Sequence, residues 1–280
     1  MSTPGPSRRE HDRRQLEAVF AADRAVHVYG LADLDEPFWS RSRWWRDQRA
    51  VIGDVGVGEP AEGAPGIVYA IAAGDPAATL DLWAEVDGEL ADRYLFTGPV
   101  GATAHLAAIG RRVVADFGEH HKLVLGDRTA LDDTAFDGAA ERPGGGGAVR
   151  PLGHDDLALV ADLRRHAADP ASFFDPSLFD LGPHVGVVED GELVAMAGIH
   201  VCSDERGVAA IGDVLVDPRH RRRGHGLTVT AAVARALLTR GITTIGLNVA
   251  ATNDAARAVY RRLGFVEVHR YEEAIVERPA

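Results

Sequence analysis

The residues with the clearest chemical potential form one short loop in the second half of the chain. The segment Arg219-His220-Arg221-Arg222-Arg223 is the densest positive patch, and Gly224-His225-Gly226 follows it. Glycines let a bulky anion approach the main chain, and arginines add charge-assisted hydrogen bonds. From Leu227 to Leu238, apolar residues recur at helical spacing. Because the first N–H groups of a helix lack internal partners, the pattern predicts a phosphate-sized anion site at the helix start.

Candidate acid–base residues lie close to this loop in sequence. Asp213 is the acid within the predicted strand Val208 to Val216, and His200 lies on the strand before it. Both side-chain types can accept a proton from an amine, although a structurally hydrogen-bonded histidine is the favoured interpretation of His200. Asn248 ends a further predicted strand, and we interpret it as structural support that hydrogen-bonds across strands.

The sequence predicts neither a metal site nor a catalytic thiol. His120 and His121 are adjacent on a predicted strand, so their side chains point to opposite faces and joint ligation is disfavoured. The chain has no HExxH spacing. The single cysteine, Cys202, excludes an intramolecular disulfide and lies in an apolar segment, where a small core residue is favoured.

Length and composition are typical of a globular protein with room for two modest domains. The chain has 280 residues, of which 46% are hydrophobic and 26% are charged. No apolar run is long enough to span a bilayer, and Met1 to Arg14 lacks the apolar stretch of a secretory signal, so we expect a cytoplasmic protein without membrane attachment. The formal net charge of −12 argues against nucleic-acid binding, which needs a positive field.

The elements that would position the loop form an α/β pattern. A predicted hairpin turns at Glu189-Asp190-Gly191 and leads into the strand before the loop. The loop is followed by a helix, and then by a strand, a second helix and a last strand. If the strands beside the loop splay apart, main-chain polar groups become open to an amide-bearing ligand. The further predicted elements are strands Ala148 to Leu152, Val185 to Val188, Glu192 to Val201, Thr243 to Val249 and Phe265 to Val276, and helices Asp155 to His166 and Asn253 to Leu263.

The first half of the chain also has an α/β pattern. The segment Arg142 to Gly147 holds neither helix nor strand without a large entropic cost. We therefore predict an N-terminal α/β domain at 1–142, a Gly-rich linker at 143–147 and a C-terminal domain at 148–280. The predicted elements before the linker are helices Leu16 to Phe20, Pro76 to Val86 and Ala102 to Phe117, and strands Ile67 to Ala72, Arg93 to Thr97 and His120 to Leu125.

Two further patterns in the first half have competing interpretations. The glycines of Gly53 to Gly58 lack the order and flanking elements of a dinucleotide loop, so a surface loop is favoured. An aromatic cluster lies among arginines and could stack a flat ligand. A helix with one aromatic face packed on the body and one basic face in water is the favoured alternative. The cluster consists of Phe38, Trp39, Trp44 and Trp45.

Two motifs of the second half resemble the signatures of the GNAT superfamily of N-acetyltransferases. Arg221-Arg222-Arg223-Gly224-His225-Gly226 resembles the family's acetyl-CoA loop, and it lies between a predicted strand and a helix. The segment Asn253 to Phe265 resembles the family's second signature, and it follows the loop at the expected distance in sequence. The resemblance covers about the last 130 residues. For the C-terminal domain it implies a mixed, mostly antiparallel sheet flanked by helices. The preceding domain would be a smaller or degenerate α/β domain of similar kind that lacks the loop.

The resemblance also implies roles for particular residues. The main-chain groups of Leu215 and Val216 would contact the pantetheine arm, and Asn253 would lie near that arm or cap its helix. Tyr260 has the position from which such enzymes protonate the departing thiolate. Asp213 is the candidate base, although the family's best-known glutamate falls at about Ala210. The residues implied to contact the pyrophosphate are Arg221, Arg222, Arg223, Gly224, His225, Gly226 and Leu227.

The function that follows is transfer of acetyl from acetyl-CoA, as co-substrate, to a primary amine by direct attack. The acceptor, a small molecule or a peptide, and the oligomeric state are left open by the sequence. A noncatalytic acyl-CoA-binding regulator is the alternative, since it would use the same loop without deprotonating an acceptor. Nucleic-acid binding through Arg219 to Arg223 is disfavoured because the glycines and the following helix already explain these arginines.

Overall fold

The chain divides into two units. The computed structural model describes residues 8–56, 66–71, 76–132, 147–167 and 174–279. The first unit comprises Met1–Lys122, Ala250–Thr252 and Val268–Ala280, and the second comprises Leu123–Val249 and Asn253–Glu267. This differs from the expected linear division, because the end of the last strand belongs to the first unit. Residues 143–146 of the expected linker lie outside the described residues.

The first unit combines helices with strands. The elements are β1 (Arg8–Glu10), α1 (Arg13–Ala21), α2 (Val28–Ala32), α3 (Phe38–Arg41), β2 (Arg43–Arg46), β3 (Val51–Val55), β4 (Gly66–Ile71), α4 (Pro76–Val86), β5 (Arg93–Gly98), α5 (Ala102–Ala108) and β6 (Arg112–Leu125). Strands β1 to β4 pair antiparallel in sequence order, and β4 pairs parallel with β5. Residues 272–277 of the last strand, β12 (Phe265–Glu277), pair antiparallel with β5.

The predicted helix Ala102 to Phe117 is wrong in its second half. Helix α5 ends at Ala108, and β6 begins at Arg112. The backbone N–H of Gly110 bonds to Ala107 O and that of Arg111 to Leu106 O, which closes the helix end. From Arg112 onward, exposed and partly buried residues alternate, as expected for a strand with one face toward the core.

The aromatic cluster is divided between a helix and a strand, with Phe38 and Trp39 on α3. Trp44 and Trp45 lie on β2, and each is 1% exposed. Gly53 is paired with Trp44 across β2 and β3, and a Cβ at Gly53 would overlap the indole ring. Gly53 is therefore part of a strand and not of a surface loop. A residue with a side chain at this position would clash with the indole ring of Trp44.

The first unit buries ionisable side chains near α2. Burial lowers the pKa of Lys122 to about 8, and its Nζ donates to Val26 O at 3.2 Å. His27 is 4% exposed, and burial, with a smaller effect of Lys122, lowers its pKa to about 4. Both groups therefore resist carrying a positive charge in the folded chain.

The second unit contains the elements on which the anion loop depends. Its elements are α6 (Thr129–Asp132), β7 (Ala148–Pro151), α7 (Leu157–Ala167), α8 (Leu178–Leu181), β8 (Val185–Glu189), β9 (Glu192–Ser203), β10 (Val208–Val216), α9 (His225–Thr239), β11 (Thr244–Ala250), α10 (Asp254–Arg262) and the first residues of β12. Strands β7 to β10 pair antiparallel in sequence order, and β10 pairs parallel with β11. The predicted mixed α/β class and the strand Val208 to Val216 are confirmed.

The two faces of this sheet are covered by different helices. Ala197 and Ile199 of β9 pack in one apolar cluster with residues of α9, including Val233. Met196 of β9 packs in another cluster with Leu163 of α7. Successive residues of β9 therefore alternate between an α9 face and an α7 face. In the part of the chain that the structure describes, no helix is long and apolar enough to cross a membrane.

Acid should destabilise the first unit through His27. Between about pH 6.5 and 4 the unfolded chain binds a proton that folded His27 does not, so the free energy of unfolding falls as pH falls. We expect His27→Gln to remove up to about 3 kcal/mol of this pH dependence, measured by denaturant unfolding at pH 7 and pH 4. The exposed His11 gives the control: His11→Gln should leave the pH dependence intact, and equal slopes in all three proteins would contradict the assignment.

Candidate active site

The centre of the site is the point at which β10 leaves β11. The two strands pair from Val208 with Thr244 to Ile211 with Leu247, and the described pairing stops there. Strand β10 continues to Val216 along β9, with register shifts between Gly212 and Leu215. The edge of β10 that carries Leu215 and Val216 is therefore not closed by β11. This divergence is the opening that an amide-bearing ligand needs to pair with the main chain.

Asp217 and Arg219 build the loop that follows β10. The Asp217 side chain accepts from Arg219 N at 2.8 Å and from the Arg219 guanidinium at 2.7 Å. These bonds lower the pKa of Asp217 to about 2, so it remains a carboxylate. Arg219 also bonds to Glu192 at 3.1 Å. The first arginine of the basic run is therefore committed to carboxylates of the chain itself.

A second carboxylate, Glu189 at the end of β8, faces the basic residues of the loop. Its side chain is 12% exposed and lies 3.2 Å from His225 Nε2 and 3.6 Å from His220 Nε2. Arg223 Nη1 lies 3.5 Å from the same carboxylate. Glu189 thus ties the start of α9 to the β8–β9 hairpin and partly balances its charge.

The remaining arginines and the helix terminus are available to an anion. Arg221 and Arg222 are exposed, and no carboxylate of the described residues pairs with them. Gly224 caps α9 with φ 86°, a conformation that glycine adopts at low cost, and it supplies no capping side chain to the helix. A Cβ at Gly224 would meet no atom within 4 Å. Open space, two cations and uncapped amides therefore coincide.

The second motif places Asn253 and Tyr260 on α10. Asn253 Oδ1 accepts from Ala256 N at 3.1 Å, so it caps the helix. Tyr260 is 5% exposed and packs against Phe265, with ring centroids 6.1 Å apart. Burial raises the pKa of Tyr260 to about 12, so its hydroxyl keeps its proton at neutral pH. Such a group can donate a proton but is a poor base.

Asp213, the candidate base, is an ion-paired group. Its side chain is fully buried, and Arg164 Nη1 donates to Oδ1 at 2.8 Å. His200 Nε2 lies 4.0 Å from Oδ2. The sequence analysis missed Arg164, because its position on α7 gives no sign of a partner on β10.

The histidine pair contacts carboxylates, and the cysteine packs against apolar residues. His121 Nε2 lies 3.2 Å from Glu119 Oε1, and His120 Nε2 lies 3.5 Å from Glu273 Oε2. Cys202 is partly buried against the apolar cluster of the second unit. Among the described residues, no group of three or more His, Cys, Asp or Glu side chains has a metal-binding arrangement.

The helix cap at Asn253 can be tested apart from any ligand contact. Asn253→Ala should lower the free energy of unfolding by about 1 kcal/mol, since the N–H of Ala256 loses its acceptor. Asn253→Asp keeps an acceptor oxygen and should retain the wild-type value in denaturant unfolding. Equal stability of wild type and Asn253→Ala would show that the cap is dispensable.

Comparison with known proteins places this geometry in a family. The model of the acetyltransferase (GNAT) family matches residues 157–265. The [ribosomal protein bS18]-alanine N-acetyltransferase of Escherichia coli strain K12 is 36% identical over 81 residues, 29% of this chain and 53% of that protein. The mycothiol acetyltransferase of Clavibacter michiganensis subsp. michiganensis is 38% identical over 104 residues, 37% of this chain and 31% of that protein. This chain thus spans about half the length of the first relative and about a third of the second.

A likeness in fold extends over nearly the whole chain. A solved tandem GNAT protein from the clavulanic acid biosynthesis pathway aligns with a TM-score of 0.56 and 17% identity, covering 98% of this chain and 99% of that one. At this identity the likeness concerns the fold alone. The match at 157–265 includes the diverging strand, the basic loop and Tyr260. Residues 157–265 of this chain therefore match the acetyltransferase (GNAT) family.

Proposed function

We propose that this protein transfers an acetyl group from acetyl-CoA to a primary amine. The observation that carries the proposal is the coincidence of three features directly after β10. These are the strand edge left open beyond Ile211, the exposed cations Arg221 and Arg222, and the uncapped N-terminus of α9. Together they match the alternation of amides and phosphates in a CoA molecule.

The donor would lie along β10 and end at α9. Main-chain groups of Leu215 and Val216 pair with the pantetheine amides, in the manner of an added strand. The pyrophosphate accepts from the N–H groups of His225, Gly226 and Leu227. Arg221 and Arg222 add charge-assisted bonds, and Arg223 turns from Glu189, 3.5 Å away, to the stronger anion.

Tyr260 supplies the proton for the leaving group. With a pKa of about 12 it is protonated at neutral pH, so it has a proton to donate to the thiolate as the C–S bond breaks. Asn253 uses its Oδ1 as a helix cap, which leaves its side-chain N–H groups for the pantetheine carbonyls.

The acceptor is a primary amine that attacks the thioester directly while the donor is bound. The names of the two relatives indicate two acceptor classes, the alanine of a ribosomal protein and mycothiol. Both an alanine-terminated peptide and a small amine are therefore the first acceptors to test. Release of CoA with either, and formation of the acetyl product by mass spectrometry, separates an enzyme from a protein that only binds acyl-CoA.

Acetyl-CoA should stabilise the protein to heat, because a ligand of the folded state adds RT ln(1 + [L]/Kd), about 2.7 kcal/mol at 100 Kd.

Gly224→Asp should abolish the shift in Tm, since it places a carboxylate at the pyrophosphate position. Gly241, at the other end of α9, has φ 92° and an equally open surrounding. Gly241→Asp therefore introduces similar strain and charge and should keep the shift. Normal donor binding by folded Gly224→Asp would refute the loop assignment.

Tyr260→Phe should lower kcat by about 10²- to 10⁴-fold, because only the donated proton is lost. Donor affinity, from the Tm shift, should change less than about tenfold. Tyr94→Phe is the matched control, since its buried hydroxyl bonds to Trp83 in the first unit and its loss should reduce stability without reducing kcat. An unchanged kcat in Tyr260→Phe, with chemistry limiting, would remove Tyr260 from the mechanism.

A further inference from the structure

One carboxylate of β8 lies among the basic residues of the loop after β10. Glu189 Oε1 lies 3.2 Å from His225 Nε2, and Oε2 lies 3.5 Å from Arg223 Nη1 and 3.6 Å from His220 Nε2. His220 ends the turn after β10, and His225 is the first residue of α9. A single side chain therefore contacts the loop at three points, from the end of the strand to the start of the helix.

A tight hairpin turn sets the backbone that carries Glu189. Glu189 is paired with Glu192 across the ends of β8 and β9. The two residues between them, Asp190 and Gly191, have φ of 49° and 83°. A type I′ hairpin turn requires positive φ at both central residues, and its twist matches that of the paired strands. The position of Glu189 is therefore determined by the hairpin rather than by the loop.

The Glu189 side chain is also enclosed on the side away from the loop. It is 12% exposed, and its Oε1 accepts from Gly147 N at 3.4 Å. A Cβ at Gly147 would overlap Glu189 Cγ. The carboxylate is thus packed between the residue before β7 and the loop, where it faces the cations.

At this position Glu189 opposes the binding of a second anion. The donor pyrophosphate would accept from the N–H of His225, whose side chain contacts Glu189. Arg223, which would add a charge-assisted bond, has the same carboxylate as its neighbour. Like charges repel at short range, and a cation that is already paired has less attraction to offer a second anion. The contacts that stabilise the empty loop are therefore those with which a donor competes.

We propose that Glu189 sets the affinity of the site for CoA compounds, as an internal anion that competes with the pyrophosphate for Arg223. The inference rests on the proposed function. Glu189 is a positioning residue, because it touches no reacting atom and acts through Arg223 and the first turn of α9. It stabilises the protein without donor and weakens the complex with donor.

The competition has a consequence for turnover. Acetyl-CoA and free CoA carry the same pyrophosphate, so Glu189 weakens the binding of substrate and product alike. Product release limits the rate of many enzymes. Binding energy that holds donor and product equally well does not raise kcat. A carboxylate that loosens both complexes therefore favours release of CoA and reduces inhibition by it.

The test compares Glu189→Gln with Glu192→Gln in the full chain. Glutamine keeps the length of the side chain and removes its charge. Glu189→Gln should bind acetyl-CoA and free CoA about 2- to 10-fold more tightly than the wild type, measured by calorimetry near neutral pH and at low salt. The Tm of donor-free Glu189→Gln should fall, because Arg223 and His225 lose a charged contact.

Glu192 is the matched control, because it lies opposite Glu189 in the same hairpin. It pairs with Arg219, which Asp217 already binds. Glu192→Gln removes the same charge and should leave both affinities within about twofold of the wild type.

Two further readouts separate charge from shape. The gain in Glu189→Gln should shrink at high salt, since mobile ions screen the repulsion between the carboxylate and the pyrophosphate. The gain should also shrink in an Arg223→Gln background, where the cation for which the two anions compete is absent. A residue that only supports the fold would give neither dependence.

Wild-type protein that binds neither acetyl-CoA nor CoA would overturn the proposed function. With a wild type that binds, unchanged or weaker binding by folded Glu189→Gln would overturn the role of Glu189 alone. An equal gain in Glu192→Gln would do the same, since the effect would then belong to net charge. A gain that persists in full without Arg223 would also overturn the competition.

Discussion

The site depends on the end of one hydrogen-bond ladder. Two parallel strands form evenly spaced hydrogen bonds for as long as they stay paired. Strands β10 and β11 are paired only as far as Ile211 and Leu247. The main-chain groups that follow on β10 are polar, and they need partners wherever water is excluded. A ligand with amides of its own is a suitable partner. Under the proposed function, the amides of the donor would complete this edge of the sheet.

Most charged side chains of the loop are paired with carboxylates of the chain. Asp217 and Glu192 neutralise Arg219. Glu189 contacts His220, Arg223 and His225, which fixes the course of the chain into α9. Arg221 and Arg222 remain exposed, and no carboxylate of the described residues pairs with them. A net charge of −12 for the whole chain thus coexists with a locally basic loop, since the field at the loop is set by groups within a few ångströms.

Sequence reasoning succeeded where local chemistry decides the structure. The β8–β9 hairpin, strand Val208–Val216 and helix α9 follow from turn residues, β-branched runs and helical spacing. It failed at α5, where a short helix and a long strand share one apolar stretch. It also failed at β2, since four residues are too few to show a period and the burial of Trp44 depends on a glycine of another strand. The Arg164–Asp213 pair joins positions far apart in sequence, and no local pattern encodes it.

The assignment of the chain's last residues to the first unit affects biosynthesis. Residues 272–277 pair with β5, whose own residues are 93–98. The ribosome makes nearly all of the second unit in the interval between them. At 5–20 residues per second, the edge of β5 waits roughly 10 to 35 s for its neighbour. Throughout that time it is an unpaired strand edge, the feature most prone to join another nascent chain. Deletion of the final strand residues should therefore first cause aggregation of the N-terminal unit, although that unit is far from the deletion in sequence.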